Sequence, residues 1–139
     1  MPTLTRWFIK SSLVFFVAAL LAGLASAARS VLDLPLLFAA LTPVYFHLFL
    51  VGWVTQLIFG VVFWMFPKFS MESPRRDERL GWATFLLLNT GLLLRVVGEP
   101  LHSIHPQAGL GWLLALSALL QWLAGLGFVT NTWGRVKER

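Results

Sequence analysis

The sequence predicts an all-α integral membrane protein, a four-helix bundle with its N-terminus and its C-terminus in the cytoplasm. Composition is the first observation behind this prediction, because 58% of the 139 residues are hydrophobic and only 12% are charged. A soluble domain usually carries about 25% charged residues, and a small globule has too little interior to hide so much apolar surface. Four long apolar segments and a one-sided distribution of positive charge are the other two observations.

Four segments of the chain are long and apolar enough to cross a bilayer, which takes about 17–25 helical residues. They lie at about 11–28, 43–66, 80–97 and 110–132, and we expect them to form a single transmembrane domain over residues 1–139. Strands do not fit these segments, because polar and apolar residues do not alternate in them and because an open sheet cannot leave unpaired edges in lipid.

Several residues predict where these helices begin and end. Thr42 and Pro43 suit a helix start, with a capping hydroxyl before a proline at the first helical position. Pro67 predicts the end of the second helix, and the Gly-Glu-Pro sequence at 98–100 predicts the end of the third. The first segment also resembles a secretory signal, since small residues at 25–28 follow its apolar core. We interpret it as a retained helix, with removal as the alternative.

The charges in the loops predict the orientation. With four helices and a cytoplasmic N-terminus, nine of the eleven basic residues fall on the cytoplasmic side and two on the outer side. This is the positive-inside pattern of a multi-pass protein, here expected in a bacterial-type inner (cytoplasmic) membrane. It explains the net charge of +5 without a nucleic-acid partner. The cytoplasmic set is Arg6, Lys10, Lys68, Arg75, Arg76, Arg79, Arg135, Lys137 and Arg139, and the outer set is Arg29 and Arg95.

Several kinds of chemistry are excluded. The chain has no cysteine, which rules out disulfides, iron–sulfur clusters, thiolate metal ligands and covalently attached haem. It has no glycine-rich phosphate loop before a helix and no Ser/His/Asp set. We therefore predict no catalytic residue, and enzyme activity of the chain on its own is not expected.

Ionisable side chains are costly in lipid, so those near the spans are the candidate functional residues. The expected topology places all of them on the outer side: His47, Arg95, Glu99, His102 and His105. His47 lies one turn into the second helix, at a depth of about 6 Å. A neutral imidazole is a common ligand of haem iron, copper and zinc. The alternative is a histidine bonded to a helix-end carbonyl or to interfacial water.

The remaining candidates lie at and after the end of the third predicted helix. If Pro100 starts a short helical turn, Glu99, His102 and His105 follow one another at three-residue spacing along one face. Two histidines and a carboxylate suit zinc or copper(II), and the alternative is a polar outer loop. Arg95 either reaches the outer headgroups or binds an anion such as a haem propionate through its planar fork.

The second helix carries a pattern that resembles a known family. Residues 45–53 read YFHLFLVGW, and Gln56, Phe59-Gly60 and Trp64-Met65-Phe66-Pro67 follow. This pattern resembles helices of the haem–copper oxidase catalytic subunit superfamily, and it is similar to the NnrS family of membrane haem–copper proteins. The end of the third helix, Leu-Leu-Arg-Val at 93–96, and the end of the fourth also resemble these families, so that the resemblance covers about residues 41–135.

The resemblance implies a metal site near the outer face, with His47 as an axial haem ligand or a copper ligand and Arg95 near the propionates. Such oxidases have about twelve helices and six metal-binding histidines, whereas this chain has three histidines and Tyr45 as its one tyrosine. The oxygen-reducing dinuclear centre therefore cannot be assembled from one such chain.

Two hypotheses for the function follow from these patterns. The first is a small membrane protein that binds haem b or copper for electron transfer, gas binding or sensing, with His47, His102, His105 and Glu99 as candidate ligands. The second is a cofactor-free accessory subunit of a larger membrane complex, which packs through small residues at 18–23 and 111–125. Either way we expect contacts with membrane lipid and a homo-oligomer or a larger complex. A quinol or small-solute site is a third, weaker possibility.

Overall fold

The computed structural model describes residues 1–136 and contains four long helices in that range. Helix α1 spans Thr3–Leu32, α2 spans Leu41–Met65, α3 spans Glu78–Ile104 and α4 spans Gly111–Trp133. All four are long and apolar enough to cross a membrane, and the described residues form no strand. The all-α, four-span prediction is therefore confirmed. Lys137 and Arg139, two of the basic residues assigned to the cytoplasmic side, lie outside the described residues.

Helix α1 starts eight residues before the predicted position 11 and ends at Leu32. The added turns carry basic residues and Trp7, which suit a membrane interface rather than its apolar centre. Hydropathy detects the apolar centre of a spanning helix, so the sequence underestimated its length. At 1.5 Å per residue, the 30 residues of α1 extend over about 45 Å, which matches a bilayer with both headgroup layers.

Helix α2 does not start with the predicted threonine cap. It begins at Leu41, and its N-cap residue Ala40 makes no side-chain capping bond. The hydroxyl of Thr42 instead lies 2.8 Å from the hydroxyl of Ser26 on α1. The predicted end is confirmed, because the backbone becomes extended at Phe66, directly before Pro67. A residue before proline avoids the helical conformation.

Helix α3 corrects a sequence prediction. Gly98, Glu99 and Pro100 do not end it, and the helix continues to Ile104 with Pro100 inside. Gly98 is buried against α4, where an added Cβ would lie 3.0 Å from a Leu114 methyl carbon. The glycine therefore permits close helix packing and does not act as a stop signal. The helix ends at His105, directly before Pro106, and Gly109 follows with a φ of 66°.

The helices pack through small residues and two apolar clusters. Glycines bring α1 close to α2 and α3 close to α4, because an added Cβ at Gly60 or Gly91 would lie within 3.0 Å of a neighbouring helix. One cluster joins all four helices near the chain termini, with Phe59 of α2 stacked on Phe128 of α4 at 3.8 Å between ring centroids. The other joins α1, α2 and α3 near the opposite end, around Leu92. These contacts leave the outer helix surfaces apolar and exposed.

An even number of passes places both described chain ends on the same side of the bundle. We call this side the arginine end, defined by residues 1–10, 66–79 and 133–136. The opposite side, the histidine end, comprises residues 28–47 and 95–111, and it holds all three histidines.

Candidate functional site

His47 occupies the last turn of the first, α-helical part of α2, and its side chain is half-buried. Its Nδ1 lies 2.9 Å from the carbonyl oxygen of Pro43, one turn earlier. A carbonyl only accepts hydrogen bonds, so Nδ1 carries the hydrogen, and in the neutral form of the ring the lone pair is on Nε2. Histidines that bind metals usually donate their second ring N–H to such a carbonyl. The same bond also fits the alternative, a histidine bonded to a carbonyl group near the end of its own helix.

Directly after His47, the helix widens into a π-helical segment, Leu48–Thr55. The backbone N–H of Gln56 donates a hydrogen bond to the carbonyl oxygen of Val51, five residues earlier, which is the spacing of a π-helix. Segments of this type cost stability and occur frequently at functional sites. Within it, the backbone of Gly52 is so close to α1 and α3 that an added Cβ would lie 2.8 Å from Phe15 and from Leu92.

Arg95 and Glu99 form an ion pair within α3. The guanidinium nitrogen of Arg95 lies 3.1 Å from a carboxylate oxygen of Glu99, and both side chains are 17% exposed. The charge of Arg95 is therefore balanced by a carboxylate one turn away in the same helix. Its Nε is buried and has no hydrogen-bond partner in the structure.

His102 and His105 have different surroundings. His102 is in the last turn of α3, on the face of Arg95 and Glu99, and its ring lies next to Gly111 at the start of α4. Its Nδ1 is buried without a hydrogen-bond partner. His105 is exposed at the helix end. The predicted short helical turn after Pro100 is thus the continuous end of α3.

The candidate residues form two groups at similar depth. Because α2 and α3 are antiparallel and Gly52 faces Leu92, His47 lies at about the depth of residue 97, close to the level of the Arg95–Glu99 pair. Within residues 1–136, however, no group of three or more His, Asp and Glu residues could hold a metal ion. One chain thus offers a single imidazole on α2 and a separate polar cluster on α3.

A polar contact near the middle of the bundle connects three helices. Gln56 of α2 is completely buried, and its amide nitrogen donates to Ser11 of α1 at 2.7 Å and to the side-chain oxygen of Asn89 on α3 at 3.2 Å. Amide side chains of this kind join helices by hydrogen bonds within the bilayer. The amide oxygen of Gln56 has no protein partner.

The sequence did not predict a second polar site, which lies at the arginine end. The carboxylate of Asp77 caps α3 by accepting from the backbone N–H groups of Arg79 and Leu80. Its backbone N–H and carbonyl groups both pair with the side chain of Asn131 on α4. The capping signal, an aspartate before an apolar helical run, was present in the sequence.

Arg135 is the other unpredicted residue of the arginine end. The sequence assigned it only to the cytoplasmic set of basic residues. In the structure it is 2% exposed and donates to the carbonyl oxygens of Phe63, Phe66 and Pro67 at 2.9–3.1 Å. Nothing in the local sequence distinguishes it from the neighbouring basic residues. Its role depends on where α4 ends relative to α2.

Comparison with known proteins identifies the family. The family model described as Cytochrome C and Quinol oxidase polypeptide I matches residues 1–112. No curated protein and no solved structure matches the chain. The match confirms the resemblance read from α2, extends it over α1, and leaves most of α4 outside. Because the match covers most of the chain, this multi-pass membrane protein belongs to the cytochrome c and quinol oxidase polypeptide I family.

Proposed function

We propose that the chain is a small haem- or copper-binding membrane protein, with His47 of α2 as its main ligand. The observation that carries this proposal is the Nδ1 bond to the Pro43 carbonyl. That bond fixes the orientation of the ring and leaves Nε2 as the nitrogen that can offer a lone pair. An imidazole in this form can bind a metal ion. The following π-helical segment further supports a functional role for this turn.

The donor set fits haem better than copper. Haem iron can be held by one imidazole on each face, so His47 of one chain and a second histidine suffice. Copper usually takes two or more nitrogen ligands together with a further donor, which one chain does not assemble in residues 1–136. The second ligand is then His102, His105 or His47 of a neighbouring copy. Bound haem would supply an iron that exchanges one electron or binds a small gas.

Arg95 and Glu99 are proposed to act on the cofactor through charge rather than as ligands. Their ion pair is nearly buried, and the unpartnered Nε of Arg95 is one free donor for an anionic group. His102 is the better of the two remaining histidines as a ligand, since its buried Nδ1 has no protein partner.

An optical spectrum with iron and copper analysis tests this proposal on the full chain purified in detergent with haem supplied during expression. We expect a Soret band that shifts on reduction, and its loss in His47→Ala. The matched control is His105→Ala, which removes an exposed histidine whose side chain forms no hydrogen bond within residues 1–136, and it is expected to reduce the band less. A wild-type protein with neither a Soret band nor stoichiometric metal contradicts the proposal.

A cofactor-free accessory subunit is the second candidate, and the surface of α4 favours it. The small residues Ala115, Ala118 and Gly125 lie on the outer side of α4, and an added Cβ at Gly125 meets nothing within 4 Å, whereas Gly111 lies next to the ring of His102. Small residues on such a surface allow another helix to approach closely. The corresponding residues of α1 are used inside the chain, because Ala19 is completely buried.

Orientation, membrane and assembly complete the proposal. The positive-inside pattern supports cytoplasmic termini and hence a histidine end on the outer face of a bacterial-type inner membrane. A site that needs a second ligand also supports a homo-oligomer. Crosslinking of the wild-type protein and of His47→Ala in native membranes tests whether oligomer formation depends on the proposed cofactor.

A further inference from the structure

A polar pocket lies at the histidine end, where α1 finishes and the chain turns into α2. Its volume is about 390 Å³, which is within the range of roughly 300–1,000 Å³ found for small-ligand sites. Hydroxyl and charged side chains dominate its lining: Ser26, Arg29, Ser30, Asp33 and Thr42, with Leu34 and Ala39. None of these residues belongs to the proposed metal site.

An apolar groove continues from this pocket along the outer surface between α1 and α2. Its volume is about 570 Å³, and it shares Ser26 and Thr42 with the pocket. The rest of its lining is apolar or aromatic: Leu20, Gly23, Leu24, Ala27, Tyr45 and Phe46. The groove exists because Gly23 has no side chain, so that the ring of Tyr45 lies directly against the α1 backbone, 3.1 Å from where a Cβ would be.

The pocket offers two opposite charges that the protein does not pair. Arg29 and Asp33 are four residues apart and both are exposed. The ion pairs formed among residues 1–136 are Arg75–Glu78 and Arg95–Glu99, so neither Arg29 nor Asp33 is neutralised within that range. Asp33 is fixed in a left-handed conformation, with a φ of 46°, at the point where α1 ends.

The depth of the pocket matches that of lipid headgroups. Helix α1 is about as long as the full bilayer including both headgroup layers, and Arg29 lies in its last turn. The hydroxyl groups of Ser26 and Thr42, 2.8 Å apart, mark the boundary between pocket and groove. Two hydroxyls have two hydrogens and their mutual bond uses one, so the second can be donated to an ester carbonyl.

We propose that this pocket and groove bind one phospholipid with a primary-amine headgroup, of the phosphatidylethanolamine type, in the leaflet at the histidine end. The phosphate pairs with Arg29, the ammonium group with Asp33, and one acyl chain occupies the groove. A zwitterionic headgroup matches the two opposite charges, whereas an anionic glycerol headgroup leaves Asp33 unpaired. A quaternary choline group carries the charge but cannot donate a hydrogen bond to the carboxylate.

Lipid binding to the full chain in detergent tests the proposal. The protein is delipidated, then titrated with dioleoyl phosphatidylethanolamine, phosphatidylcholine or phosphatidylglycerol, and bound lipid is counted by native mass spectrometry. We expect one phosphatidylethanolamine per chain and a preference over each of the other two of about two- to fivefold, the range expected for an exposed charge pair. Equal binding of the three lipids, or tighter binding of phosphatidylglycerol, overturns the proposal.

Four variants assign the contacts. Asp33→Asn, which keeps a residue suited to the left-handed conformation, is expected to remove the preference over phosphatidylcholine. Arg29→Gln is expected to weaken the binding of all three lipids about two- to fivefold. Arg79→Gln makes the same charge change at the arginine end and is expected to leave lipid binding unchanged. Ala27→Phe fills the groove and is expected to abolish binding.

Leu13→Phe is the matched control for the groove variant, because Leu13 is exposed on α1 and lies outside the groove lining. Wild-type binding by Ala27→Phe, or equal loss in Leu13→Phe, overturns the proposal. Since no haem or copper is needed for these measurements, their outcome is independent of the proposed metal site.

Discussion

Arg135 is predicted to hold the end of α4 against the end of α2. Its guanidinium donates three hydrogen bonds to the last carbonyl groups of α2, those of Phe63, Phe66 and Pro67. Its positive charge also lies at the negative end of the α2 dipole, and its Cζ lies 5.9 Å from the centroid of the Phe63 ring. The perturbation that tests this arrangement is Arg135→Ala.

The expected loss follows from the contacts and from their cost. A hydrogen bond to a charged group contributes about 1.5–3 kcal/mol to stability. The sum over the three bonds is an upper bound, and the net loss is expected to be well below it. Burial and the positive charge of Arg75 lower the pKa of the Arg135 guanidinium, so its charge is unfavourable in this position and offsets part of the gain. Water at the interface can also replace the lost donors. We therefore expect Arg135→Ala to reduce the free energy of unfolding by about 2–4 kcal/mol.

Equilibrium unfolding in detergent micelles, followed by tryptophan fluorescence and helical circular dichroism, measures this loss. Arg135→Lys keeps the charge but not the planar fork, so we expect it to recover less than half of the difference. Arg79→Ala is the control, because it removes an exposed basic residue from the same end and should change stability by under about 0.5 kcal/mol. If Arg135→Ala is as stable as Arg79→Ala, the buried guanidinium does not hold the two helices together.

Three further predictions concern the helix contacts. Gly60→Ala is expected to cost about 1–3 kcal/mol of stability by overpacking, because its Cβ would lie 2.7 Å from a phenylalanine on α1. Gly125→Ala places its Cβ in open space, so it is expected to be neutral or to stabilise the protein by up to about 1 kcal/mol. Gln56→Leu is expected to change stability by under about 1 kcal/mol, because hydrogen bonds between membrane helices average about 0.6 kcal/mol. Arg95→Leu, which leaves Glu99 unpaired, is expected to cost more than the double change of Arg95 and Glu99 to leucine.

Unfolding measurements on the same scale check these three predictions. Equal costs for the two glycine variants would mean that the close approach of α1 and α2 is not a packing constraint. A loss above about 2 kcal/mol in Gln56→Leu would mean that the buried amide contact is stronger than such bonds generally are. A double variant less stable than Arg95→Leu would show that the carboxylate of Glu99 has another partner.

The sequence predicted the helices well at their apolar centres and poorly at their ends. Hydropathy depends on composition alone, so it located the four spans. A glycine or proline such as Gly98 or Pro100, however, can either end a helix or lie within it. Gly98 either ends a helix or allows a neighbour to approach, and only the presence of Leu114 beside it selects the second. Thr42 likewise has a partner on α1 that local sequence cannot reveal.

The candidate site was predicted in part. The sequence placed three histidines at one end and selected His47 from a helix pattern that resembles the haem–copper oxidases. The family match confirms the resemblance, and the role of His47 stays a prediction. The sequence did not predict the Arg95–Glu99 pair, because it ended the helix between them. Distances between side chains on different helices depend on how the helices rotate about their axes, which no local pattern specifies.

The sequence by itself determined that this protein spans a membrane with four helices, since lipid requires each apolar segment to satisfy its own backbone hydrogen bonds. The tertiary structure alone decided which polar groups are buried and which are exposed: Arg135 is enclosed under α2, while Arg29 and Asp33 remain open at the end of α1. Burial results from the whole arrangement of neighbouring helices, and residues of the same type in similar local sequence therefore have different roles.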